Sequence, residues 1–209
     1  MVALDDTPHV LSAAFVYELP FGSGKKYMNE GGVTNALLGG WQASTIFRYS
    51  SGTPMFFRVQ GTACNVPGAF RAGCIPAIVN PDAVFAQDKG DFDPAKGPLL
   101  NANAFEPVSA FNFYTGRGNR IEETVRGFSY HNQDLSLIKN TRLPGGTNFQ
   151  FRFEAFNLWN WHMFNSRASI FDRDGRPAFN IDLSNENFGR WAGTVTDPRT
   201  MQVAVRFEF

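Results

Sequence analysis

Residues 148–156 read Asn148-Phe149-Gln150-Phe151-Arg152-Phe153-Glu154-Ala155-Phe156, and they follow the turn residues Pro144-Gly145-Gly146. Phe149, Phe151, Phe153 and Ala155 alternate with Gln150, Arg152 and Glu154, which is the period of a β-strand with one apolar and one polar face. The polar face carries both signs of charge. Unpaired charge is costly in a dry core but ordinary against water. The segment therefore predicts a strand with apolar surroundings on one side and water on the other.

The same period recurs on both sides of this stretch. Upstream it runs through Leu11, Ala13, Phe15, Tyr17 and Leu19, then through Trp41, Ala43, Thr45, Phe47 and Tyr49. It returns weakly around Asp134, where Leu135 and Leu137 oppose Asp134 and Ser136, and strongly at the end of the chain. There Met201, Val203, Val205, Phe207 and Phe209 alternate with Gln202, Ala204, Arg206 and Glu208. Thr53 to Gln60 reads as a shorter apolar strand. The clear runs are about nine to thirteen residues long, against about five or six for strands of soluble domains. A tilted strand crossing a bilayer needs about 9–11 residues. No stretch longer than one turn keeps a helical period, and Thr34–Leu38 is the nearest candidate.

The expected fold is thus all-β, an antiparallel transmembrane β-barrel with about six to eight long strands over residues 1–209, which the resemblance given below makes the C-terminal portion of a larger one. Gln150, Arg152, Glu154, Arg206 and Glu208 are expected to face the lumen. Phe149, Phe151 and Phe153, together with Val205 and Phe207, are expected to face lipid. Three stretches interrupt the pattern. Residues 20–40 read as a turn-rich connection, and 61–104 and 165–198 read as two long irregular surface loops facing outward. Barrels of the outer-membrane type pair long outer loops with short turns on the other side. Trp159, Trp161 and Phe164, and the pair Trp41 and Tyr49, fall near strand ends. They suit an interfacial aromatic girdle, although strand-end aromatics also cap soluble sandwiches.

Composition narrows the function classes. The 209 residues carry 19 Lys+Arg and 19 Asp+Glu, for a formal net charge of zero, and include 22 Phe. Nucleic-acid binding needs a basic excess that this chain lacks. No apolar run approaches the roughly 18 residues of a membrane helix. The alternation assigns most of the Phe excess to lipid-facing strand positions. Met1 and its neighbours lack the basic and apolar regions of a secretory signal. The only two cysteines, Cys64 and Cys74, lie in a Gly- and Pro-rich stretch with Pro67, Gly68, Gly73 and Pro76. In an exported protein they read as a disulfide closing a short loop; two free thiols are the alternative.

Catalytic and metal constellations do not emerge. His9, His131 and His162 are far apart, and His131 and Asp134 fall on opposite strand faces. Asp172-Arg173-Asp174-Gly175 has its glycine two places early for a calcium loop, with no Glu at the required spacing. The runs at Gly22–Lys26 and Gly116–Asn119 read as turns rather than phosphate loops. No cofactor or metal is expected, and the chain is expected not to be an enzyme.

Two resemblances then bear on function. The alternating segment Met201–Phe209, ending on Phe, resembles the C-terminal strand by which bacterial outer-membrane barrels are recognised by their assembly machinery. Several stretches in order resemble the C-terminal part of TonB-dependent outer-membrane receptors, in particular the Oar-like group with a carboxypeptidase-regulatory-like domain. They include Thr7–Leu11 with Tyr17–Gly22, Leu38–Gln42 with Ser51–Pro54, and Asn103–Phe105. Arg126-Gly127 with Asp134–Lys139, Phe151–Asn160, Phe188-Gly189 and the terminal strand complete the set. The resemblance implies a 22-stranded barrel with a plugged lumen in the outer membrane, driven by a TonB-type energy-coupling protein to take up a bulky substrate. Plug, signal peptide and upstream strands are not recognisable, so transport is expected only together with a missing N-terminal barrel and plug. Two other readings stand beside it: a soluble carbohydrate-binding β-sandwich and a self-contained eight-stranded barrel.

Overall fold

The computed structural model describes residues 3–29, 32–65, 73–143, 145–165, 180–191 and 193–209. The Asp172–Gly175 stretch, Pro177, Pro67, Gly68 and Pro144 lie outside the described residues. The chain divides into two compact units. His9–Ser50, His131–His162 and Thr196–Phe209 form a sheet unit, and Met1–Pro8, Ser51–Tyr130 and Met163–Val195 form a loop-rich unit.

Seven strands lie among the described residues: β1 (Val10–Glu18), β2 (Trp41–Ser50), β3 (Pro54–Met55), β4 (Glu122–Arg126), β5 (Tyr130–Arg142), β6 (Asn148–Phe156) and β7 (Thr200–Glu208). Five are long and two are short. One short helix, α1 (Val33–Leu38), occupies the connection between β1 and β2, close to the weak helical signal at Thr34–Leu38. The fold is mostly antiparallel β, as the alternation predicts.

The long strands form one sheet in the order β1-β2-β5-β6-β7. β1 pairs antiparallel with β2 (Leu11 opposite Tyr49, Tyr17 opposite Ala43), and β5 with β6 (Leu137 opposite Phe153). β6 pairs antiparallel with β7, placing Phe149 opposite Phe207 and Gln150 opposite Arg206. Between β2 and β5 the Asn140 amide donates to the Gly40 carbonyl at 2.9 Å, and the Thr45 hydroxyl donates to the Asp134 carbonyl at 2.8 Å. Partner numbers fall along β5 as they rise along β2, so this pair is antiparallel too. Gly40 permits the approach: its φ is 71°, and a Cβ there would lie 2.2 Å from the Asn140 carbonyl oxygen.

The loop-rich unit differs from the expectation. The described residues of the stretch 61–104 are irregular, with short 3₁₀ turns at Gly61–Ala63, Pro81–Ala83, Pro94–Lys96 and Ala102–Ala104. This is nevertheless no mere surface loop, because Val84, Leu99, Leu100 and Ala104 are fully buried. They join Met55, Phe57, Val59, Phe105, Phe111 and Trp191 in one hydrophobic core. Backbone groups there pair without regular sheet. The Val59 and Cys74 amides exchange hydrogen bonds at 2.8 Å, and Leu183 donates to the Arg58 carbonyl at 2.9 Å. This replaces the single strand expected over Thr53–Gln60, of which only Pro54–Met55 is strand, paired with β4.

The core also corrects the account of phenylalanine. Phe57, Phe92, Phe105, Phe111, Phe128 and Phe188 are buried here, with Phe56, Phe85 and Phe164 packed against them. Burying such a side chain contributes about 1.5–3 kcal/mol, so the Phe excess serves this core at least as much as the strands. Phe164 belongs to this core. Its ring lies 5.1 Å from those of Phe92 and Phe128. Cys64 and Cys74 are disulfide-bonded, as their setting suggests.

Candidate functional site

In the sheet unit the register sorts side chains into two sets. On one face, β7 contributes Met201, Val203, Val205 and Phe207, opposite Ala155, Phe153, Phe151 and Phe149 of β6. The Phe149 and Phe207 rings are 5.2 Å apart. The Trp41 ring meets Phe151 edge-on at 6.3 Å, which brings β2 onto the same face. Through the β1–β2 register, Phe15 and Tyr17 join it with Ala43 and Phe47. The β1 and β7 side chains of this face are bare (Phe15 is 64% exposed, Val203 62% and Phe207 54%), while Phe149, Phe151 and Phe153 between them are half-buried and Ala155 is buried. Contiguous apolar surface on this scale marks a site that meets something apolar.

Across β5, β6 and β7 the opposite face is polar, and its charged groups pair with one another. The Arg152 guanidinium lies 3.8 Å from Glu154, and that of Arg206 lies 2.9 Å from Glu208. Gln202 donates to Glu154, and Ser136 reaches the same carboxylate. Gln150 donates to Asn140 at 2.9 Å, and Asn148 to Glu208 at 3.4 Å. Gln150, Arg152, Glu154, Arg206 and Glu208 are therefore brought together on one face, and Phe149, Phe151 and Phe153 on the other.

Residues the alternation did not flag complete the site. Lys139 pairs with Phe151 on the apolar face, where its ammonium donates to the Gly39 carbonyl at 2.6 Å and lies 5.4 Å from the Trp41 ring centre. Its odd number, shared with Leu135 and Leu137, is the signal that places it there. Toward the other end of the sheet, Trp159 donates to Gln133 at 2.8 Å, and the His131 ring packs on Trp161 at 4.4 Å. Asn157 ends β6 with a left-handed backbone, φ 51°. Its amide donates to Asp134, its side-chain nitrogen donates to the Trp161 and Asp197 carbonyls, and its side-chain oxygen accepts from the Trp161 amide. Asp134 thus serves Asn157 and Asn132, not His131.

In the loop-rich unit, Glu106 accepts from the Ala77 amide and the Tyr114 hydroxyl, and Arg117 donates to that hydroxyl. This contact with Tyr114 holds the Arg117 guanidinium even more firmly protonated than usual. Half-burial pushes the Lys89 ammonium below its ordinary range, where it donates to the Arg126 carbonyl. Arg126 in turn pairs with Asp6 at 2.7 Å. Gly116 and Gly118 are turn glycines: a Cβ on either would collide with the carbonyls of Ile75 or Pro76. Among the described residues no group of three or more His, Cys, Asp or Glu could hold a metal ion.

A sheet of long antiparallel strands, apolar across one face and polar across the other, with aromatic residues toward both ends, is the wall of a transmembrane β-barrel. Comparison with protein families agrees with that class. Residues 2–202 match the family described as an outer membrane beta barrel domain, and the chain belongs to it. No curated protein and no solved structure matches the chain. The protein is an outer-membrane β-barrel protein, and the outer membrane is its location.

Proposed function

We propose that this sheet is part of the barrel of a TonB-dependent transporter that takes up a bulky substrate, and that the chain has no catalytic role. The Phe149–Phe151–Phe153 face meets outer-membrane lipid and the Arg152–Glu154 face lines the lumen. The observation that carries this reading is the separation of the two sets, kept in register from β5 through β7. The run Trp41 to Tyr49 covers about 26 Å along the strand at about 3.3 Å per residue. At a tilt of about 40° that is about 20 Å of thickness, near the roughly 25 Å apolar band of such barrels.

Three segments that resemble TonB-dependent receptors support the finer assignment, because each sits where the fold is demanding. Leu38–Gln42 contains the close approach at Gly40, Phe151–Asn160 contains the Asn157 turn, and Arg126 ties Asp6 to the Gly52 carbonyl. The partners on this reading are lipid, the assembly machinery at Met201–Phe209, and a plug domain. A TonB-type protein acts through regions beyond this sheet, and nucleic acid is no partner. Binding of the periplasmic domain of a TonB-type protein to the full-length gene product, purified in detergent, is the test. Retention is the expected result. An inserted barrel that fails to retain it would sink the TonB assignment and leave the barrel standing.

A further inference from the structure

We infer that α1, with the exposed Tyr27 and Met28, rests in the lipid interface as a lipid-contacting surface continuous with the apolar face of the sheet. This rests on the lipid-facing reading of the Phe151 face. The helix sequence Val33-Thr34-Asn35-Ala36-Leu37-Leu38 holds no charged residue, and none of its residues is buried. Val33 is 76% exposed and Leu37 64%, with Leu38, Tyr27 and Met28 also bare. Six residues are too few to hold a helix in water by propensity alone.

Polar ties to neighbouring backbone hold it instead. The Asn35 side chain accepts from the Ser23 amide at 2.6 Å, Trp41 donates to the Leu37 carbonyl at 3.1 Å, and Lys139 donates to the Gly39 carbonyl. Gly22 and Gly39 are packed so closely that a Cβ on Gly22 would lie 2.6 Å from the Gly39 Cα. The inner side of the connection is thus filled by Asn35 and backbone, and the leucines are left outside. Trp41 links this patch to the wall, since it bonds Leu37 and touches Phe151.

The surrounding chemistry suits a phospholipid interface. Lys139 is buried with its ammonium on the Gly39 carbonyl, so it braces the connection from the sheet side and leaves the exposed cation to Lys26. Lys26 lies 5.2 Å from the Tyr27 ring, so a cation and an amphipathic aromatic sit beside the exposed Met28. Anionic phosphate groups and acyl chains together match that combination.

Site-directed spin labelling of the full-length protein in phosphatidylethanolamine–phosphatidylglycerol vesicles tests the inference. Both cysteines of residues 1–209 are in the disulfide, so a cysteine introduced by Leu37→Cys is the one free thiol in this part of the protein. Phe151→Cys and Lys96→Cys supply the sheet-face and exposed-loop references. The expected result is a Leu37 label reached several-fold better by oxygen than by a water-soluble nickel complex, as at Phe151 and unlike Lys96. A Leu37 label that behaves like Lys96 while Phe151 stays lipid-accessible overturns the inference alone. Water accessibility at both Leu37 and Phe151 overturns the lipid-facing wall and the inference with it.

Discussion

Asn157 shows how much one side chain carries at the end of a barrel strand. Left-handed backbone costs an ordinary L-residue roughly 1–2 kcal/mol, and Asn tolerates it better than most. Here the same residue also makes side-chain bonds to Trp161 and Asp197. Asn157→Ala loses both benefits, and a loss of about 2–4 kcal/mol is expected in urea unfolding of the inserted protein. Asn157→Gly keeps the backbone conformation and loses only the bonds, so it should fall between Ala and the native residue. The facing of β6 is tested one residue apart. Phe151→Arg is expected to cost about 2–4 kcal/mol near the bilayer midplane, read as loss of inserted protein in outer-membrane fractions. Gln150→Arg should insert nearly normally, and equal behaviour of the two variants would refute the face assignment.

At the scale of elements, the β6–β7 ladder is closely specified by its two unlike faces. A slip of one residue would put every Phe among the charges, so a cysteine pair replacing Gln150 and Arg206 should cross-link rapidly. Pairing Gln150→Cys instead with a cysteine at Phe207 should give little product on non-reducing gels. The alternation is legible in β6 and β7 because Gln150, Arg152, Arg206 and Glu208 mark the wet side unambiguously. In β5 it is weaker, since Lys139, Gln133 and His131 share a face with Leu135 and Leu137. These polar residues are reconciled only by partners distant in sequence, such as Gly39, Thr45 and Trp161. The Gly40 approach is equally silent in the sequence. Gly40→Ala should unpair the start of β2 from Asn140, seen as faster amide exchange confined to that ladder.

For the molecule as a whole, the unread part is the loop-rich core. Val84, Leu99, Phe105 and Ile181 have no period to betray them, because irregular backbone brings them together from separate segments. Their burial gives the Cys64–Cys74 bridge something to stabilise. Closing a loop of about ten residues contributes roughly 3 kcal/mol through the unfolded state. Replacing both cysteines by Ser is therefore expected to open this unit to protease within residues 51–130 at lower temperature, leaving cleavage of the sheet strands unchanged. The strand order carries a last consequence. Four successive antiparallel pairings leave β1 and β7 pointing the same way at the two rims of the sheet. A ring closed by antiparallel pairs alone must therefore insert an odd number of strands between them. A second copy brings five strands, an odd number, but threaded through the membrane in the same sense its β1 rim would run parallel to the β7 rim it joins, so it cannot close the ring by antiparallel pairs. The direction of two rim strands sets a parity rule that whatever completes the wall must obey.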